Sequence, residues 1–254
     1  MSLLNLKNLT MRFGGLTAVD AVTETIEPLL LMGLIGPNGA GKTTVFNMIT
    51  GVYLPTEGQI SFDGQNLVGQ KPHEIAGTGI ARTFQNIRLF PSLSVFDNVR
   101  VGFNNALSIG ILGSILQPRS FWRGEKEIAE KIDHLLEMFG LLDQRNELAK
   151  NLSYGDQRRV EIVRAMATDP KLLLLDEPAA GMNPTEKQKL MSLIRYLRDE
   201  FQIAILLIEH DMHVVMGICE RITVLDHGAK IASGTPEEVK NNPEVVKAYL
   251  GHSE

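Results

Sequence analysis

The chain has 254 residues, 44% apolar and 22% charged, with 25 Lys and Arg against 30 Asp and Glu, a formal net charge of −5. That composition belongs to an ordinary globular chain and excludes collagenous, disulfide-dense and disordered classes. No basic stripe points to nucleic acid, so no nucleic-acid partner is expected.

In chain order, the N-terminus shows no signal-peptide pattern. Residues 29–35 form the longest apolar run and read as a strand buried on both faces. This run is far short of the ~20 residues that span a bilayer. A Gly-rich loop follows, then a helix-compatible stretch over 44–49. Residues 58–64 alternate, as a half-exposed antiparallel strand does. The pattern from 90 to 165 is mostly helical, with Ile128, Ile132, Leu135, Leu136 and Phe139 on one stripe. Residues 171–175 and 203–208 read as two more buried strands. Between them Leu190, Leu193, Ile194, Leu197 and Phe201 share a helix face, opened by Asn183 as N-cap and Pro184 in the first turn. The lone cysteine, Cys219, cannot close an internal disulfide and reads as a small buried hydrophobe. Residues 221–225 and 230–232 suggest a hairpin around Asp226-His227-Gly228. Thr235-Pro236-Glu237-Glu238 is a capping box that opens a final helix. Together these predict an α/β fold with a mainly parallel core sheet and an antiparallel β edge near the N-terminus. A helical subdomain at about 90–165 is inserted in the core.

The chemistry centres on Gly36-Pro37-Asn38-Gly39-Ala40-Gly41-Lys42-Thr43, which fits G-x-x-x-x-G-K-[ST] between a buried strand and a helix. Glycines let the backbone N–H groups turn inward around phosphate oxygens, and the helix N-terminus adds positive dipole. Lys42 would reach the β and γ phosphates of ATP. The Thr43 hydroxyl would take a Mg²⁺ position, with Thr44 backing the loop. A phosphate loop of this kind needs a carboxylate at a neighbouring strand end for the Mg²⁺ shell, and Asp176 supplies it. Glu177 follows at once and can polarise a water aimed at the γ-phosphate.

On these residues the chain resembles the nucleotide-binding subunit of an ATP-binding-cassette (ABC) transporter, a P-loop NTPase, over nearly its whole length. Leu152-Ser153-Tyr154-Gly155-Asp156-Gln157 is similar to the signature loop usually written LSGGQ. Gln85 in Arg82-Thr83-Phe84-Gln85 matches the Q-loop glutamine, and His210 matches the switch histidine. Phe13, ahead of Gly14-Gly15, matches the aromatic that stacks on adenine. Ala180-Gly181-Met182-Asn183 matches the D-loop. Three positions depart from the usual pattern: Tyr154 for Gly, Asp156 for Gln, and Asn183 for Asp.

The resemblance implies catalytic roles for Glu177, His210, Lys42 and Gln85, and Mg²⁺ held through Thr43, Gln85 and Asp176. It also implies nucleotide contacts from Phe13, from 36–44, and from Ser153, Tyr154 and Gly155 of a second, identical or paralogous ATPase subunit. Met11-Arg12-Phe13-Gly14-Gly15-Leu16, Arg82-Thr83-Phe84-Gln85, 151–159, Glu177-Pro178-Ala179-Ala180-Gly181-Met182-Asn183-Pro184 and the ending Asn242-Pro243 to Ala248-Tyr249-Leu250-Gly251 resemble the ATPase subunit of branched-chain amino-acid importers. There the protein lies peripherally on the cytoplasmic face of the membrane, beneath transmembrane permease subunits fed by an extracytoplasmic substrate-binding protein. Lipopolysaccharide-export ATPases share the size and motif set. A soluble P-loop machine acting on nucleic acid is a rival class, but only 134 residues separate Lys42 from Asp176 and no heptad run lies between. The turn Glu27-Pro28-Leu29-Leu30 replaces the family's usual Gly-Glu, which should alter a surface turn only. The apolar segment 104–124, with 109–116 and Trp122, is a candidate surface for a membrane subunit.

Overall fold

The computed structural model describes residues 2–106 and 119–250. The apolar stretch 109–116 lies outside the described residues, and so does the side chain of Trp122. The chain divides into two units, Met1–Arg82 with Lys171–Glu254, and Thr83–Pro170.

The first unit begins with a hairpin, β1 (Leu4–Phe13) and β2 (Leu16–Ile26). Then come β3 (Leu31–Ile35), α1 (Lys42–Ile49), β4 (Glu57–Phe62), β5 (Gln65–Asn66), α2 (Pro72–Gly77) and β6 (Ile80–Arg82). After the second unit the chain resumes with β7 (Leu172–Asp176), α6 (Pro184–Phe201), β8 (Ala204–Ile208) and α7 (Met212–Ile218). It closes with β9 (Arg221–Asp226), β10 (Ala229–Gly234), α8 (Pro236–Lys240) and α9 (Pro243–Leu250).

The three apolar runs become β3, β7 and β8, each buried at every position. Among the described residues they sit in a six-stranded sheet of order β10-β9-β3-β8-β7-β6. All neighbouring pairs run parallel except β10 with β9. The antiparallel strands near the N-terminus are not an edge of this sheet. They form a sheet of their own, ordered β2-β1-β4-β5. The antiparallel edge of the parallel sheet is β10 instead, because a two-residue turn returns it onto β9. Both turn residues take positive φ, His227 at 44° and Gly228 at 84°, as a right-handed hairpin requires.

Leu4, Leu6, Leu9, Phe46, Ile49, Phe62, Leu174 and Leu206 share the core that packs α1 between the two sheets. Each such buried side chain stabilises the fold by about 1.5–3 kcal/mol. On α6, Leu190, Met191, Ile194 and Leu197 are buried. Cys219 is 5% exposed, as a small core residue should be. Burial, with Glu209 and Glu220 nearby, pushes its thiol up to about 12.

One expected helix at the C-terminus is two, α8 and α9, broken at 241–242. Asn242 precedes Pro243, which disfavours the helical conformation at 242 and lacks an N–H. The Asn242 side chain accepts from the Glu244 amide at 2.9 Å and starts the second helix.

In the second unit lie α3 (Val95–Arg100), a 3₁₀ segment (Val101–Ala106), α4 (Arg119–Met138) and α5 (Tyr154–Met166), with short 3₁₀ turns at Leu142–Gln144 and Ala149–Asn151. The stripe Ile128, Ile132, Leu135, Leu136 and Phe139 is buried, as its spacing predicts.

The altered turn before β3 has a local cost. Leu29 stands at φ 66° and is 42% exposed. A branched side chain in that left-handed region costs about 1 kcal/mol that glycine avoids. Leu29→Gly should therefore raise the thermal midpoint by about 2–4 °C. Calorimetry checks this, and a fall in midpoint would mean that the Leu29 side chain contributes more packing than its exposure suggests.

Candidate active site

The carboxyl ends of β3, β7 and β8 lie side by side, the edge where open parallel sheets place ligands. Ile35 leads into the loop 36–43. Asp176 closes β7 opposite Ile208 of β8. Glu177 donates its amide to the Ile208 carbonyl at 2.9 Å, which brings Glu177 and the segment carrying His210 to one place.

The loop is shaped by backbone conformations open to glycine. Gly36 has φ 150° and Gly41 has φ 98°. A Cβ on Gly36 would meet the Leu225 carbonyl, and one on Gly41 the Ala18 carbonyl. Gly41 is also the N-cap of α1 and offers no capping side chain, so the first amides of that helix stay available to an anion. The turn between β9 and β10 braces the loop from behind: the Gly228 amide donates to the Ala40 carbonyl at 3.2 Å. From α9, the Tyr249 hydroxyl faces Gly36. Burial raises its pKa, although the Gly36 amide donates to it.

Lys42 is buried and folds back on the loop. Its Nζ donates to the carbonyls of Gly36 at 2.7 Å and Pro37 at 2.9 Å. Burial lowers its pKa, opposed by the nearby charges of Glu177 and Asp176. Thr43 is exposed at the loop and Thr44 half-buried.

Asp176 is paired with Arg82 at 3.0 Å, both nearly sealed from solvent. Arg82 also donates to Asn47 at 2.7 Å and lies over the Phe46 ring. Glu177 stands at φ 48°, an uncommon conformation for a side chain of its size that concentrates at functional sites. Its Oε2 lies 3.7 Å from Nδ1 of His210, which is 60% exposed. Phe13 ends β1 half-exposed, its ring edge-on to Tyr53 at 5.3 Å.

The first unit thus brings together the loop 36–44, Asp176, Glu177 and His210, and it also carries Phe13, which lies against Tyr53. Gln85, Ser153, Tyr154 and Gly155 belong to the second unit. Ser153 is the N-cap of α5, its hydroxyl accepting from the Asp156 amide at 3.2 Å. The three departures from the usual pattern have local partners. The Tyr154 hydroxyl accepts from Arg158 at 3.1 Å. Asp156 pairs with Arg159. Desolvation pushes the Asp156 carboxyl up, but Ser153, Arg159 and Gln144 together hold it below its ordinary value. Asn183 caps α6 and forms a capping box with Glu186.

Two residues absent from the sequence-based set of site residues hold these loops. Arg158 is fully buried. It donates to the carbonyls of Phe84 and, at 2.7 Å, Gln85, and pairs with Glu161 at 2.9 Å. Glu209, 1% exposed, accepts from the amides of Ala179, His210 and Asp211. The only signal for Glu209 was a carboxylate directly after a fully apolar strand. For Arg158 it was helical spacing from Tyr154 and Glu161.

Comparison with known proteins decides the family. Residues 19–180 match the ABC transporter family model. The chain belongs to the ABC transporter ATP-binding family. Residues 229–254 match a second model, the branched-chain amino acid ATP-binding cassette transporter. This ABC ATPase is 49% identical over 251 residues to the high-affinity branched-chain amino acid transport ATP-binding protein LivG of Escherichia coli, covering 99% of this chain and 98% of LivG. It superimposes on the ADP conformation of an ABC transporter cassette with TM-score 0.85 at 30% identity, over 99% of this chain and all of the other. A dimeric cassette in a post-hydrolysis state bound to ADP and phosphate gives TM-score 0.76 at 26% identity, over 92% of this chain and 98% of that one. Among the described residues no helix is long and apolar enough to cross a membrane.

Proposed function

We propose that this ABC ATPase powers an importer of branched-chain amino acids. The observation that carries the reading is the agreement between the match at 229–254 and the full-length similarity to LivG. Selection of the amino acid would fall to the permease and binding-protein partners. The chain would sit peripherally on the cytoplasmic face, as one of two ATPases, identical or paralogous. The Thr83–Pro170 unit is read as the inserted helical subdomain.

In this reading ATP lies along 36–44 with adenine on Phe13. Lys42 gives up the Gly36 and Pro37 carbonyls for the β and γ phosphates. Among the described residues no three carboxylate, His or Cys side chains converge. Mg²⁺ takes one or two protein ligands and completes its shell with phosphates and waters. Thr43 and Asp176 suit it. Mg²⁺ supplies charge neutralisation on the β and γ phosphates. Arg82 fixes the Asp176 carboxylate in direction. Glu177 accepts the proton of the attacking water, and His210 steadies the γ-phosphate. Ser153, Tyr154 and Gly155 would close the site from the second ATPase.

Reconstitution with the permease and binding-protein subunits tests the substrate. Leucine, isoleucine or valine should stimulate ATP hydrolysis and accumulate in the vesicles. Stimulation by lipopolysaccharide without amino-acid uptake would overturn the reading.

A further inference from the structure

Glu209 is a buried carboxylate to which the hydrolytic scheme gives no task. It follows β8 directly and is 1% exposed. Its Oε1 accepts from the Ala179 amide at 2.7 Å. Its Oε2 accepts from the amides of His210 at 3.1 Å and Asp211 at 3.4 Å. Ala179 begins the segment 179–183 that leads from Glu177 to the cap of α6, and the Ala180 amide returns to the Glu177 carbonyl at 3.2 Å. One carboxylate therefore joins the segment after Glu177 to the segment carrying His210. A second link lies farther out, where Lys187 of α6 pairs with Asp211 at 2.5 Å. Asp211 in turn caps α7 through the amides of His213 and Val214.

The arrangement is costly to build without a use. Burying a carboxylate is unfavourable unless donors surround it. Desolvation raises the Glu209 pKa above its ordinary value, and the three amides with the nearby His210 oppose that rise only in part. Among the described residues no cation is a hydrogen-bonding partner of Glu209. The donors are all backbone, and they come from the two loops whose side chains meet at 3.7 Å as Glu177 and His210.

We propose that Glu209 is a positioning residue for hydrolysis: it clamps the 179–183 segment to the His210 segment, so that the Glu177–His210 geometry and the D-loop move as one piece. This rests on the reading of Glu177 and His210 as the hydrolytic pair. A neutral amide cannot replace the clamp. Gln at 209 has one acceptor oxygen and one donor nitrogen, so it can serve Ala179 or the His210 side but not both.

The test uses the purified full-length chain with Mg-ATP. Glu209→Gln should lower kcat by roughly 10- to 100-fold, the cost of a small misplacement of catalytic groups. ATP affinity, read by a fluorescent analogue, should be unchanged, because Glu209 touches none of 36–44. In a His210→Ala background the same substitution should cost nothing further. A folded Glu209→Gln with parental kcat overturns the proposal while leaving His210 in place. Equal fold losses with and without His210 also overturn it, since they mark general loosening. If His210→Ala itself keeps parental turnover, the hydrolytic reading fails and the clamp fails with it. Should Glu209→Gln not fold, Lys187→Ala decides through the surface link. A kcat loss at unchanged affinity that vanishes without His210 supports the clamp, and parental kcat overturns it.

Discussion

Glu177→Gln should slow ATP hydrolysis by about 10²–10⁴-fold and leave ATP binding intact. The amide keeps the shape of the carboxylate and its backbone bond to Ile208, so the φ 48° conformation at 177 persists. What it loses is the ability to take a proton. Single-turnover assays with labelled ATP read the rate, and a sizing column should show the slowed protein accumulating as an ATP-bound dimer. Lys42→Ala is the contrast. Its ammonium, now on the Gly36 and Pro37 carbonyls, is the cation that phosphates would attract, so that variant loses affinity itself. A charged hydrogen bond of this kind is worth about 1.5–3 kcal/mol. Near-parental turnover in Glu177→Gln would move the base elsewhere, with His210 the next candidate.

These residues could be named from sequence because each does its work within a few consecutive positions. The loop 36–43 needs glycine conformations, a lysine and a hydroxyl at fixed spacing, and the strands before Asp176 and His210 announce themselves as unbroken apolar runs. The same logic explains Asn183, where a missing aspartate is a capping residue with Glu186 as its reciprocal partner. The antiparallel sheet was legible as strands but not as a separate layer, since strand order depends on pairings across the chain. Glu209 and Arg158 were illegible for a related reason. Both are ordinarily surface residue types. Only the folded chain encloses Glu209 among three amides and Arg158 among two carbonyls and a carboxylate. Arg82 is similar: its pairing with Asp176 crosses from β6 to β7, which no local spacing announces.

Arg158→Ala should destabilise the protein by about 3–5 kcal/mol, the cost of leaving a buried ion-pair partner uncompensated. For a chain of this size that corresponds to a fall in thermal midpoint of roughly 10 °C. Glu161, 1% exposed, is the group left behind. The carbonyls of Phe84 and Gln85 lose their guanidinium donors in the same step, and Tyr154 loses the partner of its hydroxyl. Arg158→Ala combined with Glu161→Ala should recover part of the loss, because the buried carboxylate goes together with its guanidinium partner. It should not recover all of it. The two carbonyls stay without Arg158, and the Arg88 amide loses its bond to Glu161 at 3.2 Å. Calorimetry on the three proteins gives the order: parent, then double variant, then Arg158→Ala. The two carbonyls belong to the segment that carries Gln85, so ATPase assays on both variants should show kcat falling more than ATP affinity. An Arg158→Ala protein with a parental midpoint would mean that water replaces the guanidinium at no cost, and that the 84–85 backbone is held by other contacts.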